Sequence, residues 1–219
     1  MNMPAEAALS PVPMQASHAR RVAEIHASAL PGDFLPSLGT GFLCVFYRAA
    51  LESGAAFGFV QEAGGRVGGF VLGSADTGRL FHRVILRAAL PLGWAALPAI
   101  LRRPSLLARV AETFLYPQRE ASARGAPAQE VRVQEAVAQE AAELVVIAVD
   151  SQLRGQGSGQ ALVRALDEAF LAQGVHSYKV TVLQSNPGAN RFYQRLGFCL
   201  AGQFKLYGKR WNLYTRSLR

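Results

Sequence analysis

The sequence predicts a mixed α/β fold in one domain with an α-helical insertion, and three observations carry that prediction. Two extended runs, 55–62 and 66–74, are joined by a Gly-Gly pair, which is typical of a β-hairpin. The continuous apolar run 144–149 is typical of a strand that is covered on both faces. A glycine-rich turn, a helix and another strand follow it, and this order implies a right-handed crossover within a mixed sheet.

Two helices are predicted ahead of the hairpin. Residues 16–29 carry alanine and aliphatic side chains at helical spacing and end at Pro31-Gly32. Residues 39–52 repeat this spacing with larger apolar side chains. The first residues of the chain are rich in proline and alanine and are expected to be loose.

Residues 77–142 depart from the alternation of strands and helices, and we interpret them as an insertion that is partly helical and partly flexible. Helices are predicted over 79–90 and 104–115, the second opened by a proline at a favoured first-turn position. Residues 117–142 contain few large apolar side chains, which predicts either a flexible loop or an exposed helix. The uncharged run 88–101 contains two prolines and is expected to be too short and too broken to span a bilayer.

The insertion also holds most of the excess positive charge. The chain has 23 basic and 15 acidic residues, a formal net charge of +8, and no acid lies between Asp76 and Glu112. Six arginines fall in that interval: Arg79, Arg83, Arg87, Arg102, Arg103 and Arg109. Because the excess is one local patch, we expect no nucleic-acid partner.

After the insertion the pattern becomes regular. Strands are predicted at 177–183, 198–204 and 206–215, and a short helix at 187–196. Cys44 and Cys199 and the four histidines have no ligand spacing, so we expect buried free thiols and no metal. The N-terminus has no basic start followed by an apolar core, so we expect no signal peptide and a cytoplasmic location.

A candidate anion site lies directly after the 144–149 strand. Its glycine-rich loop consists of Arg154, Gly155, Gln156, Gly157, Ser158 and Gly159. Glycines let the backbone turn its N–H groups toward one point, and the following helix N-terminus adds partial positive charge, which suits a phosphate or pyrophosphate. The spacing fits neither a Walker A loop nor the dinucleotide-binding fingerprint, and a plain tight turn is the alternative.

Two motifs in register resemble those of the GCN5-related N-acetyltransferase (GNAT) family. The first is R-x-x-G-x-G at 154–159, similar to the family's acetyl-CoA signature, and the second is N-P-G-A-N-R-F-Y-Q-R-L-G-F at 186–198. The resemblance is strong over 143–204, fair over the hairpin and absent from the insertion. It implies the GNAT type of twisted mixed sheet, a single N-acetyltransferase domain over 1–219 and an acetyl-CoA-binding core at 143–204.

The resemblance also implies which residues hold acetyl-CoA as a co-substrate. Backbone groups of Ile147, Ala148 and Val149 would pair with the pantetheine arm, and the N–H groups of the 154–159 loop would hold the pyrophosphate. Asn186 would contact the pantetheine or stabilise the separation of the two strands. The alternative role for Asn186 is a helix N-cap before the proline that follows it.

Two catalytic residues are implied in the same way. Tyr193 matches the family's general acid, which would protonate the departing thiolate; the alternative is a core tyrosine. Glu143 stands where several family members have a general base for the incoming amine; the alternative is a solvated surface charge. Neither cysteine matches a nucleophile position, so direct attack in a ternary complex is favoured over a covalent intermediate.

The predicted function is therefore transfer of acetyl from acetyl-CoA to a primary amine on a small molecule or a peptide. The alternative is a CoA-binding regulatory or scaffold module without turnover. The arginine-rich segment 79–115 has three interpretations: a lid that favours an anionic acceptor, a contact with an anionic membrane surface, or a solvated surface that includes a homodimer contact.

Overall fold

The computed structural model describes residues 10–107, 141–206 and 208–219. The elements of the first part are strand β1 (Val12–Pro13), a 3-10 turn (Ala16–His18), helices α1 (Ala19–Ala29), α2 (Phe34–Ser37) and α3 (Thr40–Glu52), strands β2 (Phe57–Ala63) and β3 (Arg66–Ser74), and helix α4 (Thr77–Arg102). Those of the second part are β4 (Glu143–Val149), a 3-10 turn (Ser151–Leu153), α5 (Ser158–Ala172), β5 (Ser177–Leu183), α6 (Pro187–Arg195), β6 (Cys199–Leu206) and β7 (Lys209–Ser217).

The strands of the described residues form one seven-stranded sheet in the order β1-β2-β3-β4-β5-β7-β6. Neighbouring strands are antiparallel except β4 and β5, which are parallel and are connected through α5. The mixed α/β fold is therefore confirmed, and outside the insertion the described elements begin and end within a few residues of the predicted ones. The two-residue strand β1 and the short helix α2 were not predicted.

The sheet has a hydrophobic core on each face because side chains alternate along its strands. On β3, Phe70 and Leu72 pack into a first core with α1, α3 and α4, whereas Val71 packs into a second core with α5. The second core continues through α6 and the buried side chains of β5. The helices of the two cores therefore flank the central strands from opposite sides.

Strands β4 and β5 separate soon after they meet. They pair at Glu143 and Lys179, where the Lys179 N–H donates to the Ala142 carbonyl at 3.0 Å, and no further pair follows in either strand. One edge of β4 thus keeps its partner β3 as far as Val149, while its other edge is open. This divergence creates a cleft in the middle of the sheet.

The insertion differs from the prediction in its first half. The predicted helix 79–90 continues to Arg102, and the run that was expected to be too broken for a bilayer is helical. The reason is a kink at Ala88, whose φ of −135° and ψ of 20° end one helical segment and start another. Pro91 then falls in the first turn of the new segment, where a backbone N–H has no intrahelical acceptor. Taken over its full range, α4 has the length and the apolar composition of a helix that could cross a membrane.

Other expectations fall partly or wholly beyond the described chain. Most of the predicted helix 104–115 and of the segment 117–142 lies outside it, as do the first nine residues. Both cysteines are free, but Cys199 is exposed and Cys44 is half-buried, so the expectation of two buried thiols was wrong. Within the described ranges, no group of three or more potential metal-ligating side chains is present.

Candidate active site

The cleft between β4 and β5 opens into a cavity of about 1070 Å³. The residues around it come from the open edge of β4, the loop after β4, the N-terminus of α5, the end of β5 and helix α6. Helices α1 to α4, the loop between α1 and α2, and Trp211 of β7 contribute most of the remaining side chains. Almost every residue that the sequence singled out lines this cavity: Glu143, Ile147, Ala148, Val149, Arg154, Gly155, Gly157, Ser158, Gly159, Asn186 and Tyr193.

The glycine-rich loop has the backbone conformation that its glycines allow. Gly155 has a φ of 80° and Gly157 a φ of 83°, in the left-handed region that side chains with a Cβ rarely occupy. Among the described residues, no backbone carbonyl accepts from the N–H groups between Gly155 and Gln160, which lie at the N-terminus of the fifteen-residue helix α5. Unpaired N–H groups at a helix N-terminus are suited to an anion such as a pyrophosphate.

Contacts with neighbouring elements hold the start of this loop. Arg21 of α1 forms an ion pair with Asp150 at 2.9 Å and donates from Nε to the Val67 carbonyl at 3.1 Å. Arg154 donates from Nε to the Val149 carbonyl at 3.1 Å. The end of β4 and the loop are therefore fixed to α1 and β3 by charged side chains.

Close packing explains the last glycine of the loop. A Cβ at Gly159 would lie 3.1 Å from the ring of Phe192 on α6. Gly159 thus lets α5 and α6 approach each other beside the cavity. The two motifs that resembled one family in sequence are in direct contact here.

Two predicted loop residues use their side chains for local bonds. The Ser158 hydroxyl donates to the Leu153 carbonyl at 3.3 Å. Gln156 donates to the Gln152 carbonyl at 2.9 Å and is absent from the described lining of the cavity. The predicted contacts of their backbone N–H groups with a pyrophosphate stay predictions.

Asn186 has the capping role that the sequence offered as its alternative. Its Oδ1 accepts a hydrogen bond from the Ala189 N–H at 3.0 Å at the start of α6. Asn186 also lines the cavity, so a contact with a pantetheine arm stays a prediction.

A second asparagine, which the sequence analysis missed, connects three elements at this edge of the cleft. Asn190 donates from Nδ2 to the carbonyls of Leu183 and Asn186, and its Oδ1 accepts from Asn212 and from the Tyr214 hydroxyl. It therefore fixes α6 to the end of β5 and to β7. Asn190 could have been found from the sequence only by its place in the second motif.

Tyr193 differs from the other described tyrosines in its hydroxyl group. Tyr178 donates to Asp167, Tyr214 donates to Asn190 and Tyr47 is hydrogen-bonded to His26. No described residue pairs with the hydroxyl of Tyr193, although its side chain is buried and lines the cavity. Burial raises the pKa of this hydroxyl, so it is protonated at neutral pH and free to donate a hydrogen bond into the cavity.

Glu143 lies where β4 and β5 are still paired, at the narrow end of the cleft. The side chain is half-buried, and its Oε2 accepts from the Thr77 hydroxyl at 3.1 Å. Burial raises the pKa of Glu143, while the charge of Lys179 and the bond from Thr77 lower it. A carboxyl with a raised pKa is a better proton acceptor than one in water, as a general base requires.

Helices α1 to α4 line the cavity with residues that sequence reasoning did not single out: His26, Leu30, Asp33, Phe34, Leu35, Phe46, Thr77 and Phe81. They are scattered over four elements, so no local motif marks them. Burial raises the pKa of Asp33, and the charge of Lys209 lowers it. Apart from Asp33, Thr77 and His26, this lining is apolar.

The arginines of the insertion do not take part in the cavity. Among the five that are described, Arg83 donates to the Ser53 carbonyl at 2.9 Å, and none lines the cavity. Thr77 and Phe81 of α4 do line it. The interpretation of 79–115 as a lid for an anionic acceptor stays a prediction.

Residues 117–198 match the model of the Acetyltransferase (GNAT) family. The matched segment includes β4, the glycine-rich loop, α5, β5 and α6, which together form the cleft. The match covers both sequence motifs, so their resemblance to the GNAT family is confirmed.

Solved structures show the same GNAT fold. Ard1 from Thermoplasma volcanium aligns with a TM-score of 0.54 at 15% identity, over 96% of this chain and 97% of that one. An N-acetyltransferase from Staphylococcus aureus Mu50 aligns with a TM-score of 0.57 at 14% identity, over 96% and 99%. SsHAT aligns with a TM-score of 0.55 at 22% identity, over 95% and 98%. No curated protein matches the chain by sequence.

Proposed function

We propose that the chain transfers an acetyl group from acetyl-CoA to a primary amine by direct attack within a ternary complex. The observation that carries the proposal is the cavity between the diverging strands, which combines an anion-binding loop, an unpaired tyrosine hydroxyl and a carboxyl with a raised pKa. Each of these groups has a part in such a transfer.

Acetyl-CoA fits the loop side of the cavity. The N–H groups from Gly155 to Gln160 would hold its pyrophosphate, and the open edge of β4 at 147–149 would pair with the pantetheine arm as an added strand does. The thioester would then lie inside the cleft, where the strands separate.

The acceptor amine would enter the part of the cavity lined by α1 to α4. Asp33 and Glu143 give this part carboxyl groups, and no described lysine or arginine of these helices lines it. Such a lining favours a cationic amine with an apolar body over an anionic acceptor. Phe34, Phe46 and Phe81 supply the apolar contacts.

In the reaction the acceptor ammonium first loses a proton, to Glu143 directly or through water. The amine nitrogen then attacks the thioester carbonyl, a C–N bond forms and the C–S bond breaks. Tyr193 donates its proton to the departing thiolate, which leaves as CoA. The attacking nitrogen then gives up its second proton, which returns to the Tyr193 oxygen through water and leaves the amide product. Burial keeps the Tyr193 hydroxyl protonated at neutral pH, and it makes the ionised form of Glu143 a stronger proton acceptor.

The alternative, a CoA-binding module without turnover, does not explain why residue 193 has a hydroxyl group that faces the cavity. A protein that only binds CoA has no use for a free hydroxyl at this wall of the cavity, where phenylalanine would fill the same space. The unpaired hydroxyl of Tyr193 supports an enzyme.

A screen of amines with the purified chain and acetyl-CoA tests the proposal. Release of free CoA, read by a thiol reagent, together with an acceptor heavier by one acetyl group in mass spectrometry, is the expected result. Tyr193→Phe is the matched control, since it removes one oxygen atom. Acetyl-CoA binding without CoA release from any amine in the pool would favour the binding module.

A further inference from the structure

The outward face of α4 carries a strip of large apolar side chains. Leu86 is exposed just before the kink at Ala88. After the kink, Leu90, Trp94, Leu97 and Leu101 follow one another at intervals of four, three and four residues, which places these four on one side of the second helical segment. Leu90 is 79% exposed and Trp94 is 74% exposed. From Leu90 to Leu101 the strip is about 17 Å long at the rise of an α-helix. Contiguous apolar surface of this kind marks an interaction site more often than scattered exposed leucines do.

The opposite side of α4 is packed on the protein. Leu80, Val84, Ala88, Leu92 and Ala96 are buried, and the first four belong to the core that α1 and α3 form on the sheet. If α4 crossed a bilayer, it would have to leave this core. The helix is therefore placed to lie flat along a surface, with the apolar strip outward.

Arginines flank the strip at both ends. Arg79, Arg83 and Arg87 precede or adjoin it, and Arg102 and Arg103 follow it. No acidic residue lies between 77 and 107, and none of these arginines forms an ion pair with a described residue. The surface is thus apolar in the middle and positive at its ends.

We propose that this face of α4, from Leu90 to Leu101 with its flanking arginines, docks on an anionic lipid surface, with the helix axis in the plane of the headgroups. Apolar side chains would enter the boundary between headgroups and acyl chains, and Trp94 is a residue type that favours this depth. The arginines would meet the lipid phosphates, and each contributes to attraction toward an anionic leaflet.

The charge distribution favours an anionic lipid surface over a second copy of the chain as the partner of this face of α4. In a twofold dimer through the strip, the arginine-rich ends of one α4 would face those of the other, whether the helices ran parallel or antiparallel. Like charges at both ends of such an interface oppose it. An anionic bilayer provides apolar contacts for the strip and negative charges for the arginines.

Co-sedimentation of the full chain with lipid vesicles tests the proposal. We expect binding to vesicles of phosphatidylglycerol and phosphatidylcholine, little binding to phosphatidylcholine alone, and weaker binding as salt is raised. Leu90→Gln and Trp94→Gln should each reduce the partition coefficient about tenfold, and Arg87→Gln and Arg102→Gln about fivefold each. All four side chains are exposed, so the variants should fold like the wild type.

Two control variants distinguish binding through the strip from binding through surface charge or exposed apolar side chains in general. Leu200→Gln on β6 removes another exposed leucine, and Arg164→Gln on α5 removes another exposed arginine. Both should bind anionic vesicles like the wild type. The emission of Trp94 should shift to shorter wavelength with anionic vesicles, and Trp94→Phe shows how much of the signal comes from Trp211.

Three results would overturn the proposal. The first is no binding of the full chain to anionic vesicles. The second is binding that the controls reduce as much as the α4 variants do. The third is a dimer in light scattering that Trp94→Gln converts to a monomer, since the strip would then be a contact between copies.

Discussion

Tyr47 and Tyr193 lie in the two cores of the sheet and are both buried, but their hydroxyl groups have different surroundings. The Tyr47 hydroxyl is hydrogen-bonded to His26 Nδ1 at 2.7 Å, whereas no described residue pairs with that of Tyr193. The Tyr193 side chain lines the cavity, where its hydroxyl is free to act on a ligand. The Tyr47 hydroxyl thus contributes to the stability of the first core, whereas the hydroxyl at the cleft is available for chemistry.

The largest expected effect tests the stabilising role of the first core. Burial lowers the pKa of His26 to about 4, from an ordinary value of 6.5. The folded state therefore favours neutral His26, and its stabilising contribution is complete above pH 6.5 and is lost as the pH falls toward about 4. The expected loss is about 3 kcal/mol of unfolding free energy, since one pKa unit corresponds to about 1.4 kcal/mol.

Urea unfolding at several pH values measures this loss. His26→Asn keeps a polar atom near the Tyr47 hydroxyl but does not titrate in this range. Its unfolding free energy should fall less steeply between pH 6.5 and pH 4 than that of the wild type. Parallel curves for the two proteins would mean that His26 is not the group responsible.

Tyr193→Phe should lower turnover roughly 10²-fold, the usual scale for a lost general acid, and leave acetyl-CoA affinity nearly intact. Because the hydroxyl has no partner among the described residues, the variant should be at least as stable as the wild type. Steady-state kinetics with the amine found in the screen, together with thermal unfolding, measure both properties. Unchanged turnover would make Tyr193 a packing residue.

Tyr47→Phe is the counterpart in the first core. It leaves the His26 ring without its bonding partner, which should cost about 1–2 kcal/mol of stability. Turnover should change far less than in Tyr193→Phe. A reversed pattern, with Tyr47→Phe inactive and Tyr193→Phe unstable, would contradict the contrast between the cores.

Glu143→Gln should lower kcat/KM about tenfold or more, with the greatest loss at pH values below the pKa of the amine, where the acceptor is protonated. Above that pKa the amine is already neutral and the two proteins should converge. Since burial raises the pKa of Glu143, its ionisation costs folded-state stability above its unfolded pKa. Glu143→Gln should therefore not lower the melting temperature at neutral pH. Identical rate–pH profiles would exclude Glu143 as the base.

The smallest expected effect belongs to the outward face of α4. Trp94→Gln should leave turnover with a water-soluble amine unchanged and alter the unfolding free energy by no more than about 0.5 kcal/mol, as is usual for exposed positions. Kinetics without lipid measure the first and urea unfolding the second. A large loss of activity in solution would show that the strip acts on the site itself.

The second half of the fold could be predicted from the sequence because the patterns that mark its elements are local. A buried strand, a glycine loop with left-handed residues and an amphipathic helix follow one another within about thirty residues, as in other crossover units. Gly157 and Tyr193 could therefore be located from their motifs. The predicted helices and strands on both sides of the cleft agree with the observed ones for the same reason.

The rest of the site depends on contacts between distant residues. Asp33, Phe46 and Phe81 reach the cavity from three helices, and no spacing in the sequence relates them to Glu143. The continuation of α4 through Pro91 was missed because a proline inside an apolar run usually ends a helix. Here the kink at Ala88 starts a new helical segment, so that Pro91 lies in a first turn, where the missing N–H has no intrahelical acceptor to lose.

Calorimetric titration of acetyl-CoA into the wild type and Gly157→Val tests the central claim, that the cleft between β4 and β5 binds acetyl-CoA through its glycine loop. Gly157 has a φ of 83°, so valine would force the loop out of the conformation that presents its N–H groups. We expect micromolar affinity for the wild type and at least a tenfold loss in the variant, about 1.4 kcal/mol or more. Equal affinities for the two proteins would contradict the claim.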